Sequence, residues 1–134
     1  MTQTASTRRQ PSPAGPGPAH LVLGRFGETY AARHLVSSGM VLLERNWRGS
    51  RWEVDLILRD GGTLVLCEVK TRTGASHGHA IEAVDATKLA RLQTAAEEWL
   101  QARGIKPVEV RFDAIAIVVD HGVVTELEHV RGIG

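Results

Sequence analysis

The stretch Glu53-Val54-Asp55-Leu56-Ile57-Leu58-Arg59-Asp60-Gly61-Gly62-Thr63-Leu64-Val65-Leu66-Cys67-Glu68-Val69-Lys70 decides the fold. Asp60-Gly61-Gly62 is a hairpin signal, because tight strand connections need residues at positive φ. Trp52 to Arg59 alternates strictly and predicts a strand with Trp52, Val54, Leu56 and Leu58 on one face. Thr63 to Lys70 reads as the return strand, with Val65, Cys67 and Val69 completing a core face. A turn centred between Gly61 and Gly62 sets Asp55 opposite Glu68 and Glu53 opposite Lys70. Directly opposed residues have Cβ atoms about 4.5–5.5 Å apart. Two carboxylates that close repel unless a proton or a cation lies between them.

The other face of this hairpin is polar only at that spot, since Ile57, Leu64 and Leu66 continue it as apolar. An acid pair with an ammonium beside it suits a hard divalent cation, Mg2+ or Mn2+, which takes oxygen ligands and keeps several waters. Such an ion polarises phosphodiesters, and a lysine beside it orients water or stabilises charge. Glu53 and Lys70 alone also fit an ordinary cross-strand ion pair of little energetic weight. The residues leave both readings open, with the Asp55–Glu68 juxtaposition favouring the metal.

Working outward, residues 20–38 carry a helical stripe at Leu23, Phe26, Gly27, Tyr30, Ala31 and Leu35, stopped by Ser37-Ser38-Gly39. Met40 to Trp47 predicts a strand and Arg48-Gly49-Ser50 a turn. Thr71 to His79 reads as a loop. A second helix is expected from Asp85, a capping residue, through Leu89, Leu92, Ala96, Trp99 and Leu100 to Gly104. Val108 to Val119 and Val123 to Val130 read as strands joined at His121-Gly122. The expected class is α/β: a mixed five-stranded sheet flanked by two helices, in the order helix, three strands, helix, two strands. Pro11 to Pro18 is rich in proline and glycine, so residues 1–19 read as a disordered tail and 20–134 as a single domain.

The chain has 134 residues, 43% hydrophobic and 23% charged, which suits one core. No apolar run approaches the roughly 20 residues of a membrane helix. The net charge of +1 excludes a protein that merely coats nucleic acid and requires a local patch or site instead. A single cysteine, Cys67, forbids an internal disulfide and reads as a small buried hydrophobe. Arg8-Arg9 is followed by Pro- and Gly-rich sequence, not the apolar segment of an export signal, so a cytoplasmic location is expected. Gly24-Arg-Phe-Gly27 lacks the lysine and the preceding strand of a phosphate-binding loop.

Gly24-x-x-Gly27-Glu28 with Ala31-Ala32, Asn46-Trp47, Glu53-Val-Asp55-Leu-Ile, Glu68-Val-Lys70-Thr-Arg72 and the final Arg131-Gly132-Ile133-Gly134 form a set. Together they resemble the YraN-type bacterial family of uncharacterised endonuclease-like proteins, within the PD-(D/E)XK restriction-endonuclease-like superfamily. The set is also similar to the archaeal Holliday junction resolvases. The resemblance implies a restriction-endonuclease-like core and a nuclease-type site. By position, Asp55 and Glu68 would hold the metal, Lys70 would be the catalytic lysine, and Glu28 an accessory acid from the first helix, with Gly27 allowing close approach. Trp52 departs from the pattern, which usually has glycine before Glu-x-Asp.

Arg45, Arg48 and Arg51 with Trp47 and Trp52 form a basic-aromatic cluster suited to phosphates and a stacked base, or else a solvated turn. Arg72, Lys88 and Arg91 would extend that grip from the loop and second helix, although Lys88 also suits an ion pair with Asp85 or another helical acid. His77-Gly-His79 reads as a flexible loop, and the other histidines carry no assignment. The expectation is a metal-dependent nuclease acting on nucleic acid, DNA before RNA, with branched or unusual structures as substrates. Such substrates would suit a homodimer. The alternative is a nucleic-acid-binding module of the same fold with little or no catalysis.

Overall fold

A computed structural model describes residues 18–74, 82, 84–107 and 109–134. The elements are α1 (Pro18–Ser37), β1 (Val41–Arg48), β2 (Glu53–Asp60), β3 (Thr63–Thr73), α2 (Ala86–Arg103), β4 (Glu109–Asp120) and β5 (Val123–Val130). This is the α/β order expected. Most of the expected tail and the His77-Gly-His79 segment lie outside the described residues. α1 opens at Pro18, where proline's fixed φ and missing N–H suit the first helical position.

The sheet order is β1-β2-β3-β4-β5, antiparallel except for the parallel pair β3–β4. A parallel neighbour requires a crossover, and α2 supplies it. Asp85 caps α2 by accepting the Lys88 N–H at 2.8 Å, and Gly104 ends it at φ 65°, ψ 33°. The β4–β5 turn places both His121 and Gly122 at positive φ, 52° and 78°, as the tightest hairpin connections demand. β3 runs three residues further than its sequence pattern suggests. Thr71, Arg72 and Thr73 pair with Ile117, Val118 and Val119, so the loop begins only beyond them.

Both faces of the sheet are covered, which corrects the expectation of one core face. Leu56, Leu58, Val65, Cys67, Ile115 and Ile117 pack with Ala31, Ala32 and Leu35 of α1. Ile57, Leu64, Leu66, Ala114 and Ala116 pack with Leu92, Ala95, Ala96 and Trp99 of α2. The apolar Ile57, Leu64 and Leu66 are therefore a second core, as a sheet with a parallel crossover requires. Val54 and Trp52 belong with the α2 side, not with Leu56 and Leu58. The strict alternation read along β2 breaks between Val54 and Leu56, at Asp55.

The carboxyl-terminal residues are pinned by a buried charge. Asp113 is fully buried; Arg111 donates to both its oxygens at 2.9 and 3.1 Å, and the Gly132 N–H donates at 3.1 Å. His129 lies 2.8 Å away, and Arg111 reaches on to Asp60 at 3.1 Å. Burial pushes the Asp113 carboxyl up, but His129, Arg111 and the Gly132 amide outweigh it and hold it below the usual range.

Candidate active site

The β2–β3 ladder keeps the expected register from Asp60↔Thr63 to Leu56↔Cys67 and then stops, one residue short of Asp55 and Glu68. On the other side, β1 pairs Arg45 with Leu56 and Trp47 with Val54, passing over Asn46 and Asp55. Asn46 sits at φ 50°, a left-handed conformation uncommon for a residue with a side chain. β2 thus loses its neighbours on both sides at one residue. Asp55 turns its own side chain into the gap, and its Oδ2 accepts the Val69 N–H at 2.8 Å. A main-chain donor that the ladder has abandoned is satisfied by a carboxylate.

Three acids converge at this fork. Asp55 lies within hydrogen-bonding reach of Glu28 from α1 and of Glu68 from β3. Burial, followed by the charge of Asp55, pushes Glu68 up to about 7. Burial and then Asp55 raise Glu28 as well, while Asn46 hydrogen-bonds it and lowers it. Asp55 itself is raised, by burial first and also by Glu53, against the Val69 amide and the Lys88 charge, which lower it. The crowding expected from the hairpin register is present, and it extends to a third carboxyl.

Glu28 is brought in by a close helix–strand approach. A Cβ on Gly27 would lie 2.9 Å from the Cβ of Thr71, nearer than real side chains tolerate. Only glycine lets α1 rest on β3 at that level. A cleft of about 470 Å³ opens there, lined by Arg25, Glu28, Asn46, Glu53, Asp55 and Lys70 among others. Lys70 is exposed at its rim. Glu53 lines the same cleft, and Arg48 forms an ion pair with it at 3.7 Å.

The ammonium that meets Glu68 comes from elsewhere. Lys88 of α2 places Nζ 3.0 Å from Glu68 Oε2. It pairs with an acid of β3, where the sequence suggested a phosphate grip or a pair with a helical acid. A smaller cleft on this side is lined by Trp52, Glu53, Glu68, Lys88 and Arg91. The site therefore spans the end of the sheet, with Glu28 reaching it from one face and Lys88 from the other.

The residues of the basic-aromatic cluster each have their own partners. Arg45 donates to Thr29 Oγ1 of α1 at 2.8 Å, and Arg48 pairs with Glu53. Arg51 lies 5.6 Å from the Trp52 ring, and Arg91 lies 4.6 Å from it. Trp47 and Trp52 pack at the margin of the α2-side core. Arg72 is half-buried on β3. Cys67 is fully buried and donates weakly to the Glu68 carbonyl; burial first, then the nearby acids, pushes its thiol well up, so it is no nucleophile.

An oxygen-only donor set of Asp55 and Glu68, with Glu28 beside them, fits a hard divalent cation. Among the described residues no group of three or more His, Cys, Asp or Glu side chains is placed to hold a metal ion, so protein ligands would come from two carboxylates. Magnesium sites commonly use one or two carboxylates and leave the other positions to water and substrate oxygens, and the half-buried Asp55 and Glu68 carboxyls are of the type such a site needs.

Residues 27–117 match the profile of Uncharacterised protein family UPF0102. A UPF0102 protein of Nocardioides sp. strain JS614 is 53% identical over 112 residues, 84% of this chain and 90% of that protein. The chain belongs to UPF0102. Another UPF0102 protein, from Frankia alni, is 47% identical over 110 residues, 82% of this chain and 92% of its own length. One from Streptomyces coelicolor is 45% identical over 113 residues, covering 83% and 87%. UPF0102 is the YraN-type family that the motifs resemble, and its matched region contains Glu28, Asp55, Glu68, Lys70 and Lys88. Among the described residues no helix is long and apolar enough to cross a membrane.

Proposed function

We propose that this UPF0102 protein is a divalent-metal-dependent nuclease that hydrolyses phosphodiester bonds, in DNA before RNA. The observation that carries the reading is the convergence of Glu28, Asp55 and Glu68 at the end of the β2–β3 ladder, with Lys70 at the rim of the same cleft. Asp55 and Glu68 would hold Mg2+ or Mn2+, and a bound ion supplies Lewis-acid charge to the phosphate and a lowered pKa to water. Asp55 is oriented for that role by the Val69 amide, which donates to one of its oxygens. Glu28, whose carboxyl is pushed up by burial and then by Asp55, would take or return a proton at the cleft wall. Lys70 is free to orient the attacking water or to offset charge building on the phosphate. Arg25, Arg45 and Arg51 are exposed around the fork and suit the adjoining phosphates.

The test is cleavage of plasmid and branched DNA with Mg2+ or Mn2+ by the wild type, Asp55→Ala and Lys70→Ala. Loss of cleavage in both variants, by at least about a hundredfold, is expected for groups acting on the reacting atoms. Cleavage undiminished in both overturns the assignment. DNA binding that is salt-dependent and indifferent to Asp55→Asn, with no cleavage by the wild type, leaves the non-catalytic binding module instead.

A further inference from the structure

Lys88 sits where a metal's charge would be needed. Its main-chain position is fixed, because Asp85 caps the first turn of α2 through the Lys88 N–H. From there the side chain crosses to β3 and places Nζ 3.0 Å from Glu68 Oε2. The same ammonium attracts Asp55. The Glu68 side chain is only 13% exposed, so it depends on a partner, whereas Lys88 is 44% exposed and can leave toward solvent. A divalent cation held by Asp55 and Glu68 would lie within a few ångströms of this ammonium. Repulsion between the two cations at that separation exceeds thermal energy several times at protein-surface dielectric. Both cannot stay.

Resting on the metal-site reading above, we infer that Lys88 is an exchangeable internal counter-ion: it holds the acid pair while no divalent cation is bound, and the cation releases it into the groove beside Trp52 and Arg91. That groove is already lined by Lys88, Glu68, Trp52 and Arg91. A lysine freed there stands next to a second basic group, where a phosphate of the nucleic-acid backbone can be gripped. Lys88 is thus a positioning residue. It keeps the empty site from collapsing or repelling itself, and it couples metal loading to substrate grip. The chain's other lysines, Lys70 and Lys106, do not touch Glu68.

The experiment uses the full chain as wild type, Lys88→Met, Lys88→Gln and Lys88→Arg. Mn2+ is titrated by calorimetry and by electron paramagnetic resonance of the free ion. Removing the competing ammonium is expected to tighten Mn2+ binding about tenfold in Lys88→Met and Lys88→Gln, with Lys88→Arg close to wild type. Binding of a DNA duplex is then measured in EDTA and in Ca2+. Lys88→Met is expected to weaken it in Ca2+ and to leave it unchanged in EDTA. Should neither neutral variant fold, wild type is read directly: with three lysines, reductive 13C-methylation gives few signals. Mg2+ is expected to move one of them, absent in Lys88→Arg, toward its solvent-exposed position. Mn2+ binding by wild type that is unchanged or weakened in the neutral variants, or a methyl signal indifferent to Mg2+, overturns the exchange and leaves the nuclease reading standing. No Mn2+ binding by any form overturns both.

Discussion

Replacing Glu68 by glutamine is expected to stabilise this protein in metal-free solution, against the usual outcome for a buried polar residue. The folded chain holds the Glu68 proton up to about pH 7, because of burial and then Asp55, whereas an unhindered glutamate releases it near 4.5. A group whose folded pKa is raised favours folding at low pH, and that contribution is lost as pH rises through the interval. Integrated over the interval, ionised Glu68 costs about 3 kcal/mol at pH 8 and under about 1 kcal/mol at pH 5. Its side chain is mostly out of water, so solvent screening removes little of this. Glutamine keeps the shape and carries no charge. Urea unfolding in EDTA should therefore find Glu68→Gln more stable than wild type by about 2–3 kcal/mol at pH 8, and within about 1 kcal/mol of it at pH 5. Saturating Mg2+ should stabilise wild type at pH 8 and do little for the variant. Equal stabilities at both pH values, or a variant that is weaker at pH 8, would refute the idea that the Asp55–Glu68 pair is electrostatically frustrated.

Three further outcomes follow from the same geometry. Gly27→Ala forces a Cβ against Thr71, so α1 must lift from β3; a loss of about 1–3 kcal/mol in thermal unfolding is expected, with Mn2+ binding weakened as Glu28 withdraws. Asp113→Asn leaves Arg111 and His129 facing a neutral group inside the fold, and urea unfolding should show a loss of about 3–5 kcal/mol. Because the Asp113 carboxyl is held below the usual range, its contribution is present above pH 4 and fades only as pH falls below that. Asn46→Gly relieves the positive φ but removes the hydrogen bond to Glu28, so stability should change by less than about 1 kcal/mol while cleavage falls.

The hairpin was readable because its signals are local. Asp60-Gly61-Gly62 fixes the turn, the turn fixes the register, and the register brings Asp55 to Glu68. Element order followed from periodicity and from the caps at Asp85 and Gly104. The second core was not legible because the apolar Ile57, Leu64 and Leu66 have no visible partner in the sequence until α2 is known to lie over them. The break at Asp55 left no mark in the alternation of β2; it coincides with a left-handed Asn46 on the neighbouring strand. Lys88 lies 20 positions from Glu68 in the chain, and only the crossover of α2 brings them together. The clamp on Asp113 did leave a trace: an acid inside the apolar run Phe112 to Val119 cannot be buried alone and demands partners. Arg111 was two residues away, but His129 and Gly132 come from β5 and the residues after it, beyond what spacing can supply.

Isothermal titration of Mg2+ into the wild-type chain and into Asp55→Asn goes to the heart of the account. Saturable binding to wild type, weakened at least about tenfold by the loss of one carboxylate, is the predicted result. Undetectable binding to wild type, or equal binding by both, would contradict it.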